Sequence, residues 1–405
     1  MSTYVSFAGV GKGDIGDDIF AGNKRWVIIG GAVLAALILC LVIAAAAGAF
    51  KSTSTSASVA PAALVRMVNA VKTKLALAFA KQPTATAERV SSSAGQAQLE
   101  AGEALAFALT QTAETAAVRW SVPYVNTKSK QPGARSCWVT VPLGFASASA
   151  ADKFPVYFFF HGTSTSSSAA ENACRQLVGS GCVCFVLQGS ELVADAGTVY
   201  SWDVNDSTGA DDLSLVRALY GLMATDARLD LARCFACGHS VGSLFVGNVL
   251  APQTSFFTGG HLCLSSQLLV GTDLSGAQAG VKIVFINGNA DQLIPFDGGT
   301  ASFNASLTFH AVTDAVELWA AQNACTAQAT VLQGNFSYFP APAQPSLSIT
   351  AAFTRYTAPC AGGLVAGYIL SGTGIYQIKH DTIAPALNLF GAANTAALAL
   401  AVFGE

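Results

Sequence analysis

The chain is predicted to fold as an α/β domain, a mostly parallel sheet with helices on both faces. Three observations predict it. From about Val122, short apolar runs alternate with segments of helical periodicity, the pattern of strands joined by crossover helices. Val281 to Ile286 is a near-continuous run of Val, Ile and Phe, suited to a strand covered on both faces. Finally, Gly238-His239-Ser240-Val241-Gly242 stands between the apolar run Cys234 to Cys237 and the helix-like segment Ser243 to Leu250. Glycines on both sides of Ser240 suit a strand that turns abruptly into a helix, where side chains have no room.

Within that domain, Cys137 to Val141 and Pro155 to Phe160 read as the first strands, and Cys182 to Gln188 as another. Asp211 to Met223 reads as a helix with Leu215, Leu219 and Leu222 on a common side, and Arg233 to Cys237 as the strand before the glycines. After Val281 to Ile286, a helix is expected over Ala311 to Asn323 and a last strand over Gly374 to Ile378.

Ahead of the domain, Trp26 to Phe50 carries no charge and follows Lys24-Arg25. Such a run is long enough to cross a hydrocarbon layer of roughly 30 Å as a helix, and the basic pair places the N-terminus inside. Residues 1–25 are therefore read as a short cytoplasmic tail, 26–50 as a transmembrane signal anchor in a lipid bilayer, 51–120 as a linker and helical stalk, and 121–405 as the α/β domain. Two rivals for 26–50 stay open: a cleaved signal peptide, with small-residue sites at Ala45-Ala46-Ala47 or Ala47-Gly48-Ala49, and a buried apolar helix. In the stalk, Leu64, Val68, Val71, Leu75, Ala78 and Phe79 form one helical stripe, and a second, Ala-rich helix is expected over Gln98 to Val118.

Composition excludes some partners. Charged residues are 11% of the chain, against about 25% in ordinary globular domains, and the 21 Lys plus Arg are scattered within a net charge of -3. No basic face for nucleic acid follows from this. An extracellular or lumenal location is expected for the domain. Of ten cysteines, Cys40 lies in the apolar span, and nine lie outside it, so at least one of these stays free or pairs between chains. Neither Cys182 with Cys184 nor Cys234 with Cys237 has a set of partner ligands that makes a zinc site. Asn205, Asn304 and Asn335 open glycosylation sequons.

Serine is a poor nucleophile unless a base lies within hydrogen-bond reach and a carboxylate holds that base in the right tautomer. The base must come from His161, His239, His261, His310 or His380. His380 follows the expected last strand and is the leading candidate; His239, beside Ser240, is assigned a local structural role. Asp291 follows the Val281 to Ile286 strand and the turn Asn287-Gly288-Asn289, with Asp297 and Asp314 as substitutes. The order Ser240, Asp291, His380 is that of an α/β-hydrolase. Donors to a developing oxyanion are expected from the N–H of Val241 and from that of Gly162 or Thr163, after the run Tyr157 to Phe160.

Taken together, FFFHG, the Trp202 and Asp211-Asp212 region, GHSVG, NGNADQLIPF and TGIYQIKH resemble α/β-hydrolase esterases of the polyhydroxybutyrate depolymerase and feruloyl esterase type, over about Trp138 to Gly391. The resemblance implies Ser240 as nucleophile, Asp291 as acid, His380 as base, and an oxyanion hole near Gly162 and Val241. It further implies a Cys325–Cys360 disulfide closing a loop beside His380. The family's His-Gly-Cys is here His161-Gly162-Thr163, and its Gly-His-x-Trp-Pro-Gly loop is here Lys379-His380-Asp381-Thr382-Ile383-Ala384. The expected activity is hydrolysis of a small or accessible carboxylic ester of feruloyl, acetyl or hydroxyalkanoate type through an acyl-enzyme, with no cofactor or metal required. Two other readings remain: a serine peptidase on the same machinery, and a membrane-tethered binding protein that keeps the fold without turnover.

Overall fold

The computed structural model describes residue 109 and residues 116–403, apart from 165, 167, 195–196, 205–208, 326–329, 339–348, 361–362 and 374–376. The expected tail, anchor, linker and first stalk helix lie outside the described residues, as does most of the Ala-rich helix. Among the described residues no single helix is long and apolar enough to cross a membrane.

The strands are β1 (Val118–Val125), β2 (Pro132–Thr140), β3 (Phe154–Phe160), β4 (Val183–Leu187), β5 (Ser190–Ala194), β6 (Gly197–Ser201) and β7 (Leu229–His239), then β8 (Gly260–Leu264), β9 (Ile283–Gly288), β10 (Gly299–Thr300), β11 (Thr308–Phe309), β12 (Thr330–Tyr338), β13 (Ile349–Cys360) and β14 (Gly363–Ser371). Ten of them form one sheet in the order β1-β2-β4-β3-β7-β8-β9-β14-β13-β12. The centre, β4-β3-β7-β8-β9-β14, is parallel, and antiparallel strands complete both edges.

The helices are α1 (Ala169–Arg175), α2 (Asp212–Met223), α3, α4 (Val312–Gln322), α5 (Ile383–Phe390) and α6 (Thr395–Phe403). Helix α3 begins as Val241–Phe245, passes through a π turn at Val246–Leu250 and ends as Ala251–Gln253. Alternate side chains of a strand point to opposite faces, and β3 shows the consequence. Val156, Phe158 and Phe160 enter a core shared with α2, α3 and α4, through residues such as Leu219, Phe245 and Trp319. Tyr157 and Phe159 enter the opposite core, built with α1, α5 and α6 through Cys174, Ala386 and Leu398. The three-layer expectation therefore holds for the described domain.

Some boundaries differ from the sequence reading. Val118 belongs to β1, not to the Ala-rich helix; its strand alternates between exposed and buried positions from Arg119 to Tyr124. Among the described residues the last strand of the sheet is Gly363–Ser371, and the expected strand Gly374 to Ile378 lies largely outside them. Residues 374–376 lie outside the described residues, and Ile378 is buried in a loop whose carbonyl accepts from the Ala290 N–H at 3.0 Å. Its apolar side chain serves the core without strand pairing.

The disulfide Cys325–Cys360 is present, but not beside His380. Cys360 pairs in register with Gly363, and Val365 with Ile283, the first residue of β9. These positions lie at the N-terminal edge of the parallel sheet, whereas Leu370 and Gly288 mark the opposite end. Helix α4 returns the chain to that edge before Cys325. The other seven described cysteines are buried thiols. Cys182 and Cys184 share one core, whereas Cys234 and Cys237 enter different ones.

Candidate functional site

Ser240 occupies the turn between β7 and α3 with φ 55° and ψ -125°. For a residue with a Cβ this conformation costs roughly 1–3 kcal/mol. The two flanking glycines make the turn sterically feasible. A Cβ on Gly238 would stand 2.3 Å from the Gly242 carbonyl oxygen, and one on Gly242 would stand 2.0 Å from that of Phe160. The turn is pinned by the Ser240 N–H, which donates to the Leu264 carbonyl at 3.0 Å. The buried Ser243 hydroxyl adds a bond to the Gly238 carbonyl at 2.7 Å.

His380 and Asp291 reach this turn from the neighbouring strand ends. Asp291 follows β9 in a turn in which its Oδ1 accepts the N–H groups of Leu293 (2.8 Å) and Ile294 (3.0 Å). Its Oδ2 lies 2.7 Å from His380 Nδ1, and His380 Nε2 lies 2.8 Å from Ser240 Oγ. The Asp291 carboxylate is shielded from solvent, while the imidazole keeps 20% of its surface exposed. With a carboxylate facing Nδ1, that nitrogen carries the proton and Nε2 turns its lone pair to the serine hydroxyl. The structure thus joins the three expected residues, from the ends of β7, β9 and the loop after β14, in one hydrogen-bonded chain. Asp297 and Asp314 are both exposed and take no part in it.

Two of the residues expected to supply oxyanion donors, Gly162 and Val241, adjoin Ser240. Gly162 packs against the nucleophile so closely that a Cβ there would stand 3.1 Å from Ser240 Cβ. Val241 opens α3, where the first N–H groups of a helix have no partner within it. The Thr163 and Ser201 hydroxyls share a hydrogen bond, with their oxygens 3.1 Å apart.

Sequence reasoning placed His161 in this loop without showing what it does. Its Nε2 accepts the Gly189 N–H at 3.0 Å, which fixes the proton on Nδ1, and Nδ1 donates to the Gly162 carbonyl at 2.6 Å. Burial pushes its pKa below the ordinary histidine range, keeping the ring in that neutral form. Trp202 adds a bond from its indole N–H to the His161 carbonyl at 2.8 Å, and its ring stacks on Phe245 of α3. Asp212 supports this strap from below. Its carboxylate accepts from Arg135, from Ser190 Oγ and from the Asp203 N–H next to Trp202.

The remaining histidines take no part in the Ser240–His380–Asp291 chain of hydrogen bonds. His239 packs against His380 with ring centroids 5.6 Å apart, and desolvation depresses its pKa. His261 is buried at the start of β8, with Nδ1 3.2 Å from the Lys282 carbonyl, and His310 precedes α4. Asn304 and Asn335 are exposed, and Asn205 lies outside the described residues. A groove of about 530 Å³ opens beside α2 and α3, lined by Lys128, Asp203, Arg217, Phe245, Asn248 and Thr272. None of Ser240, Asp291 and His380 lines it.

No family model and no curated protein matches the chain. Among solved structures, an acetyl xylan esterase from Aspergillus awamori is 10% identical over 65% of this chain and 94% of that one, with a TM-score of 0.40. A thermostable esterase is 12% identical with a TM-score of 0.31; the match covers 44% of this chain and about half, 48%, of that one. An esterase 2 from Thermogutta terrifontis phosphonylated by cyclosarin is 17% identical over 50% of this chain and 78% of that one, at 0.31. The α/β-hydrolase arrangement is carried by this chain's own topology: a parallel central sheet, a serine on the strand-to-helix turn, and an acid and a histidine following in that order.

Proposed function

We propose that this protein is a serine hydrolase of carboxylic esters, acting on a small or accessible ester of feruloyl, acetyl or hydroxyalkanoate type. The observation that carries the reading is the closed chain Ser240 Oγ to His380 Nε2 (2.8 Å) and His380 Nδ1 to Asp291 Oδ2 (2.7 Å) on a strained turn. In the first step Ser240 Oγ attacks the ester carbonyl while His380 Nε2 takes its proton. The carbonyl π electrons move to oxygen, where the N–H groups of Val241 and of Gly162 or Thr163 receive the charge. His380 then protonates the departing alkoxide as the C–O bond breaks. Water, deprotonated by the same nitrogen, attacks the acyl-enzyme and releases the acid and Ser240. Asp291 keeps Nδ1 protonated throughout and stabilises the imidazolium.

The uncharged run 26–50 supports a membrane-anchored form of the enzyme, with the hydrolase domain on the extracellular or lumenal side.

The test is hydrolysis of short p-nitrophenyl esters by the full chain and by Ser240→Ala, with folding checked by circular dichroism. Activity confined to the wild type supports the reading. Equal rates in two folded proteins, with an ester ligand bound and unchanged, would replace it with a binding protein. Cleavage of anilides in preference to esters would turn it to a peptidase.

A further inference from the structure

Thr382 stands at the N-cap of α5, where a threonine hydroxyl ordinarily accepts an N–H from the first turn. Its side chain makes no such bond. The hydroxyl turns into the core instead, 2.7 Å from Ser265 Oγ and 3.3 Å from the Ile286 carbonyl. Ser265, just past the end of β8, is fully buried, as is Thr382. Its backbone φ of 57° is one that glycine adopts without strain and serine does not. A serine held there at that cost points to a use for its hydroxyl. Ser265 Oγ donates to the His380 carbonyl and accepts the Thr382 N–H at 3.2 Å. One buried oxygen therefore ties the backbone on both sides of Asp381 to β8, the strand paired with the one that carries Ser240.

We propose that Ser265 and Thr382 are positioning residues that clamp the His380 loop and so hold its imidazole between Ser240 and Asp291. Neither touches the reacting atoms. The hydrogen-bond count closes: the Ser265 proton goes to His380, the Thr382 proton to Ser265 or Ile286, and the Thr382 N–H to Ser265. Loss of the clamp lets the loop drift, and a displacement of about 1 Å at a reacting group costs on the order of 100-fold in rate. The kinetic arm of the proposal rests on the hydrolase reading; the structural arm does not.

The experiment compares full-length wild type with Ser265→Gly, Thr382→Val and Thr382→Ser. Ser265→Gly relieves the backbone strain while deleting the hydroxyl, so it separates loss of the clamp from loss of folding. Expected are kcat values for p-nitrophenyl acetate reduced about 10- to 100-fold in Ser265→Gly and Thr382→Val with KM within about twofold, and kcat restored to within about threefold in Thr382→Ser. Independently of turnover, the His380 Nδ1–H proton is read by NMR. It is expected as a slowly exchanging downfield resonance in wild type and Thr382→Ser, broadened by exchange in the other two. The proposal is overturned by an unchanged resonance in folded Ser265→Gly and Thr382→Val, or by Thr382→Ser behaving as Thr382→Val does. Equal ester rates in wild type and Ser240→Ala would remove the hydrolase reading, and the resonance would still decide the clamp.

Discussion

His380 Nε2 lies 2.8 Å from Ser240 Oγ across 140 residues of sequence. The contact exists because β7, β8, β9 and β14 stand in that order in the parallel part of the sheet, so the chain leaving the C-terminal end of β14 comes over the same edge as the turn that follows β7. Each partner is anchored separately: Ser240 by its N–H to Leu264, His380 through its carbonyl to Ser265.

Asp291→Asn should leave the fold intact and nearly abolish turnover. The Asn carbonyl can still accept the two N–H groups that Oδ1 now takes from Leu293 and Ile294. Its NH2 then faces His380 Nδ1, which must become an acceptor, moving the ring proton to Nε2 opposite Ser240. The wrong tautomer cannot take the serine proton, and a loss of about 10⁴ in kcat is expected. Ester hydrolysis at neutral pH with a parallel thermal melt checks it; a full-rate variant would remove Asp291 from the mechanism.

Two glycine substitutions should separate stability from activity. In Gly242→Ala the new methyl stands 2.0 Å from the Phe160 carbonyl oxygen and 2.6 Å from that of His161, both backbone atoms of a packed core. The cost is about 3 kcal/mol or more, and soluble yield or melting temperature should fall sharply. In Gly162→Ala the nearest atom is Ser240 Cβ at 3.1 Å, which a small shift relieves. That variant should fold with a melting temperature close to wild type, but with kcat lowered about tenfold or more by a displaced nucleophile.

Ser240 and Asp291 were legible because each follows an apolar strand that ends where chemistry is needed and because the glycines report a turn of restricted space, whereas His380 was reached through its place in the order Ser, Asp, His and stands in a loop after β14. Their supports were not legible. Ser265 and Thr382 are 117 positions apart and carry no pattern. Strand β8 is five residues, all buried, so it shows no alternation by which to distinguish it from a loop or a short helix. Strand β12 is mostly exposed and β13 mostly half-buried, and the pair is only partly apolar, a weak signal for any element. The strap from Trp202 to His161 depends on a side chain reaching a backbone carbonyl 41 residues away. The disulfide pair followed from resemblance, but its placement at the far edge of the sheet required the register of β13 and β14.

Stability should fall as pH drops from about 6.5 toward 4. Burial depresses the pKa of His161, His239 and His261, the last from 6.5 to about 4. Each is held neutral in the fold, so below its unfolded value the unfolded chain binds more protons and is lowered in free energy relative to the fold. For His261 the stabilisation is intact above 6.5 and is lost progressively through that window, amounting to on the order of 3 kcal/mol by pH 4. Urea unfolding at pH 7.5, 6 and 5 should show decreasing midpoints, with a shallower decline in His261→Gln. A midpoint that is flat across this range in the wild type would contradict the buried-neutral assignment.

Removing the disulfide should weaken the fold and spare the chemistry. Cys325 and Cys360 are separated by 35 residues, and a link of that span stabilises by about 3–4 kcal/mol in the chain-entropy account. The bond sits at the N-terminal edge of β14, whose Val365 pairs with the start of β9, while Leu370 pairs with Gly288 beside the Asp291 turn. Five strand residues at about 3.3 Å each place roughly 17 Å between those pairings. The other described cysteines do not compete for the link, since they are buried thiols, with Cys184 pushed up to about 11 and Cys237 to about 12 by burial. Cys325→Ser/Cys360→Ser should therefore melt well below the wild type yet hydrolyse esters at 25 °C with kcat within about twofold. If kcat falls in step with stability, the two ends of the sheet are coupled more tightly than this separation implies.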